Sequence, residues 1–135
     1  MTYPIKIIIA WGEAISGNEK IRDWLLNNGY PELATFCYAL RNKTDARNWL
    51  MEHKFQHLMA LISAIEGEER ARKWLHQHNF KLLLLMALAA DNDAFAMKKL
   101  RELPEKEWAL IAERIQIVKN NIERDNNDIH QISKD

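Results

Sequence analysis

At 135 residues the chain has room for one domain with a modest core, and 47% hydrophobic against 28% charged residues excludes an intrinsically disordered chain. Nineteen Lys+Arg balance nineteen Asp+Glu, which removes the overall basic excess expected of a general nucleic-acid or membrane-surface binder. One cysteine, Cys37, excludes an internal disulfide and suits a reducing, cytoplasmic setting; in the run Phe36-Cys37-Tyr38-Ala39-Leu40 it reads as a core residue.

The first predicted element is a half-unit over residues 4–16. Tyr-Pro-Ile-Lys-Ile-Ile-Ile carries strand propensity, yet Ile5, Ile8, Trp11 and Ala14 align, 25 residues apart, with Tyr30, Leu33, Phe36 and Ala39 of the next segment. That alignment predicts a helix. Lys6 lies inside the apolar stretch instead of preceding it, unlike a signal peptide. With few polar groups on this helix, contact with a partner or a second copy of the chain through Ile7 and its neighbours is an expectation.

Three units of about 25 residues follow, at 17–41, 42–66 and 67–91. Trp24-Leu25, Trp49-Leu50 and Trp74-Leu75 keep the period, as do Tyr30, Phe55 and Phe80, and Leu33, Leu58 and Leu83. Within a unit, Ala46, Trp49, Leu50 and His53 mark one face of a first helix; Phe55, Leu58, Met59, Ile62 and Ile65 mark a second. The second helices are apolar over most of their circumference and must be covered on several sides. Their longest apolar run, Leu82 to Ala90, is about half a bilayer span, so no membrane association is expected. Gly17, Asn42, Gly67 and Asn92 form a column of residues that tolerate positive φ, suited to closing a helix. Gly29, Lys54, Asn79 and Pro104 form a second column at the turn inside each unit, with Lys54 out of character.

A divergent unit over 92–124 ends in an amphipathic helix from about residue 104, with Trp108, Ile111, Ile115, Val118 and Ile122 on one side. That is the form of a terminal cap. A polar, flexible tail is expected over 125–135. The whole reads as all-α: a short αα-repeat solenoid of helix pairs within a single domain, 1–124. It is similar in kind to HEAT, TPR or ankyrin arrays, with a shorter period and without their signature residues, so no functional residue carries over.

No Gly-rich phosphate loop, paired-Cys zinc pattern, HExxH or GxSxG motif occurs. No catalytic, cofactor or metal residue is assigned, and an enzyme is not expected. His53 and His78 share a column and suit helix C-terminal ends. The tryptophans are expected in the core, each beside a leucine. The repeated residues left over are arginines: Arg22, Arg47 and Arg72, once per unit. They predict either a structural ladder or, with Lys20, Arg70, Lys73, Lys98 and Arg101, a basic stripe. The candidate partner-binding set is therefore Arg22, Arg47, Arg72, Lys73, Lys98 and Arg101. The expected function is a protein-interaction scaffold holding a peptide or protein, and the alternative is a nucleic-acid-binding helical repeat using that stripe.

Overall fold

The computed structural model describes residues 2–132, with side chains through Asn127. The described chain is all-helical: α1 (Ile5–Ile15), α2 (Glu19–Asn27), α3 (Pro31–Leu40), α4 (Thr44–Glu52), α5 (Gln56–Ile65), α6 (Glu69–Gln77), α7 (Lys81–Ala90), α8 (Ala94–Glu102) and α9 (Glu107–Ile132). Helices α2, α4 and α6 start 25 residues apart, and so do α3, α5 and α7. The strand-like opening is helical, as the repeat alignment predicted.

Backbone chemistry at the turns explains this regularity. Gly17, Asn42, Gly67 and Asn92 take φ of 110°, 68°, 93° and 69°. In each case the left-handed residue donates its N–H three residues back and the next residue donates five back, as Gly67 to Ala64 and Glu68 to Ser63. These paired bonds satisfy carbonyls that a helix end would otherwise leave open. The turn within each unit is left-handed at Gly29, Lys54 and Asn79. Lys54 (φ 66°) thus follows its column despite its side chain. Pro104 does not: α8 ends instead at Leu103 in extended backbone, because proline's ring fixes a negative φ.

The odd-numbered helices form an inner row. Each packs on the next, α1 on α3, α3 on α5, α5 on α7 and α7 on α9. Their buried faces make one core that includes Trp11, Phe36, Leu58, Ile62, Leu83, Met86, Ile111 and Ile115. The even-numbered helices are shorter in apolar content and each lies over one junction of that row: α2 over α1–α3, α4 over α3–α5, α6 over α5–α7 and α8 over α7–α9.

The row does not stay open. Helix α9 also packs along α1, so the fifth inner helix returns to the first. Gly12 makes this approach possible: a Cβ there would stand 3.2 Å from Ile111 Cδ1. Of the stretch expected to meet a partner or a second copy, Ile7 and Ile8 are buried in the chain's own core, while the neighbouring Ile5 and Ile9 are exposed. Helix α9 starts at Glu107 and runs 26 residues, longer than the cap expected over 104–124. Of the tail expected at 125–135, residues 125–132 continue α9 and 133–135 lie outside the described residues.

Candidate functional site

The arginine column lies where the inner helices end. Arg47 Nε donates to the Ala39 carbonyl at 3.0 Å, and its terminal nitrogen meets Glu66 at 2.6 Å. Arg72 repeats this one unit later, with Nε to the Ala64 carbonyl at 3.1 Å and a terminal nitrogen to Asp91 at 2.8 Å. All inner helices point the same way, so their dipoles add instead of cancelling, and cations at the carbonyl ends offset the accumulated negative charge. Each arginine ties the end of one inner helix to the acidic residue that caps the next.

The first unit breaks the pattern for a reason visible in the sequence. The residue nineteen positions after Arg47 and Arg72 is an acid, whereas nineteen after Arg22 stands Arg41. Like charges do not pair, so Arg41 donates to the Ile15 carbonyl at 3.0 Å and takes the capping role for α1. Arg22 lays its guanidinium 4.4 Å above the Tyr38 ring, a cation–π contact. In the last unit Gln116 reaches the Ala89 carbonyl. Lys119 joins Arg72 on Asp91, at 2.7 Å. Burial works against the Asp91 carboxylate, but hydrogen bonds and charge from Lys119 and Arg72 prevail and hold its pKa below the usual range.

Of the six candidate residues, Arg22, Arg47 and Arg72 therefore have side chains only 20%, 22% and 21% exposed. Lys73 and Lys98 are exposed on α6 and α8. Arg101 is exposed and meets Glu113 of α9 at 2.8 Å. The structure brings the three column arginines to one end of the inner row but commits Arg47 and Arg72 to helix ends and acids.

The tryptophan column divides. Trp49 is half-buried between the His53 ring at 4.0 Å and Phe55 at 5.8 Å, and Trp74 repeats this with His78 at 4.2 Å and Phe80 at 5.7 Å. The histidines close the helix ends, their Nδ1 atoms 2.9 and 2.8 Å from the Trp49 and Trp74 carbonyls. His57 bridges the two stacks, parallel to Phe80 at 5.3 Å, and burial lowers its pKa. Trp24 is different: it is 49% exposed. The core expectation is corrected there. Asn28 replaces the stacking histidine there.

Trp74 also belongs to a surface that the sequence reading missed. A groove of about 300 Å³ runs between α4 and α6, with Met59, Ala60 and Ala71 as its floor, Met51 and Trp74 as its walls, and Glu68 and Arg70 on the rim. Met51 is 50% exposed there. The periodicity did carry a signal, since Met59 and Ala60 fall on the outer flank of an inner helix between two outer ones. Among the described residues no group of three or more His, Cys, Asp or Glu could hold a metal ion, and no helix is long and apolar enough to cross a membrane. Burial pushes the Cys37 thiol up to about 12, and its Sγ donates to the Leu33 carbonyl at 3.4 Å, as a packed thiol does. No protein family, curated protein or solved structure matches this chain.

Proposed function

We propose that the chain is a short αα-repeat superhelix acting as a non-catalytic scaffold that holds a peptide or protein segment on its outer face, in the reducing setting that a lone buried thiol suits. The observation that carries this reading is the α4–α6 groove, whose apolar Met51, Met59, Ala60, Ala71 and Trp74 are joined by the polar Gln56 and Ser63, with one acid and one base on its rim. Met-lined, adaptable surfaces of this kind suit apolar anchors of a peptide. The arginine-stripe reading loses Arg47 and Arg72 to intramolecular bonds, so a nucleic-acid role would rest on the exposed Lys20, Arg70, Lys73, Lys98 and Arg101.

Selection from a displayed library of random 12-residue peptides tests the proposal. Selected peptides lose binding at least tenfold to Met51→Glu and Ala60→Arg variants whose melts remain cooperative. Peptides indifferent to both substitutions would contradict it. Binding to a DNA or RNA oligonucleotide that falls steeply with salt and disappears in a Lys73→Glu/Lys98→Glu variant would favour the alternative.

A further inference from the structure

Two residues of α5 set the α4–α6 groove apart from the units on either side. Ala60 stands in a column with Thr35 on α3 and Leu85 on α7, and Ser63 in a column with Tyr38 and Leu88. In the following unit Leu85 and Leu88 are half-buried against the core. In the preceding unit Tyr38 takes the corresponding place, its ring 4.4 Å beneath the Arg22 guanidinium. The chain thus fills, with its own side chains in both neighbouring units, the space that it leaves open between α4 and α6.

Size and charge narrow what can enter. The groove measures about 300 Å³. A helix of 10–12 Å diameter and 1.5 Å rise occupies roughly 120–170 Å³ per residue, so there is room for an anchoring side chain and not for a helix. The rim charges are also available. Their neighbours are paired, Glu66 with Arg47 and Glu69 with Arg72. Among the described residues neither Glu68 nor Arg70 has an ion-pair partner.

We infer that the groove takes one large apolar side chain, leucine, phenylalanine or tyrosine, from a peptide segment of a partner protein. That side chain sits between Met51 and Trp74 over Ala60 and Ser63, in the place that Tyr38 or Leu88 fills in the neighbouring units. Protein interiors are close-packed, and a single anchor that completes such packing carries much of a peptide's affinity. A base beside the anchor meets Glu68 and an acid meets Arg70, which fixes the direction in which the segment lies. The inference rests on the scaffold reading of this groove and adds to it the side chain and the charge pattern that the partner must carry.

The probes are the peptides selected from the 12-residue library, labelled with a fluorophore and titrated against the full chain by anisotropy. They should share one Leu, Phe or Tyr with Lys or Arg to one side and Asp or Glu to the other. Alanine in place of the shared apolar residue should weaken binding at least tenfold. The variant Ala60→Leu/Ser63→Leu gives α5 the residues of α7 at these positions. It should also lose at least tenfold in affinity, while its Tm stays at or above that of the parent because the groove is filled from within. Glu68→Lys should weaken a Lys-bearing peptide by about threefold, and the matching Lys→Glu change in the peptide should restore it. Peptides that lose binding to Met51→Glu yet bind the filled variant like the parent, or that carry no large apolar side chain, would overturn the inference and leave the scaffold reading standing. Peptides indifferent to Met51→Glu and Ala60→Arg would remove both.

Discussion

Lys54 holds a left-handed backbone, φ 66°, that its column otherwise gives to glycine or asparagine. An L-residue with a Cβ is strained there by about 1–2 kcal/mol. Lys54→Gly should therefore raise stability by about 0.5–1 kcal/mol, after allowing for the greater unfolded-state freedom of glycine, measured as a shift in urea midpoint. The tryptophans make a paired prediction at the same scale. Trp49→Ala removes a half-buried ring stacked on two neighbours and should cost about 2–3 kcal/mol, below the range for full burial. Trp24→Ala should cost less than about 1 kcal/mol. Equal losses from the two would show that the column is uniform after all. The sequence carried one sign of the difference, since Asn28 stands in the column whose histidines stack on Trp49 and Trp74.

Among the elements, the inner helices are joined end to end by charge. Asp91 receives Arg72 and Lys119, and its carboxyl titrates below its ordinary range. A depressed folded-state pKa means that this stabilisation is present above about pH 4, the unfolded value, and is lost as pH falls through the lower folded value. Acid melts should show it: Asp91→Asn lowers stability by about 1–2 kcal/mol at pH 7, and the difference from the parent closes below pH 4. A difference that persists there would assign the loss to packing. His57 acts at a higher pH. Its pKa is lowered by burial, so the folded state resists protonation and stability declines as pH falls below about 6.5. His57→Phe keeps a ring against Phe80 and should flatten that decline; an unchanged slope would place its origin elsewhere. The helix pairs, their turns and the two turn columns were legible from periodicity and from Gly and Asn. The arginines' partners were legible only as alternatives, since pairing with Glu66 and Asp91 depends on how one unit sits upon the next.

Over the whole molecule, the closure of the inner row by α9 was not legible. Nothing in a repeat's period fixes how far successive pairs turn, and the contact depends on Gly12, one small residue outside every repeated column used to find the units. That residue gives a test by sign. Leucine exceeds glycine in helix propensity by about 0.8 kcal/mol, so Gly12→Leu would stabilise a solvent-facing α1. Against Ile111 it overpacks instead, and a loss of about 1–3 kcal/mol is expected. Closure also decides which surfaces are free: it covers Ile8 and leaves Ile5 and Ile9 exposed on α1. The most direct measurement is the distance between nitroxide spin labels at positions 9 and 110 in a Cys37→Ala background. Neighbouring packed helices lie about 8–10 Å apart, so the closed row predicts strong dipolar broadening at a separation of about 10–15 Å. A row left open across its four other junctions would separate the labels by roughly 30–40 Å without broadening, and that result would contradict the account.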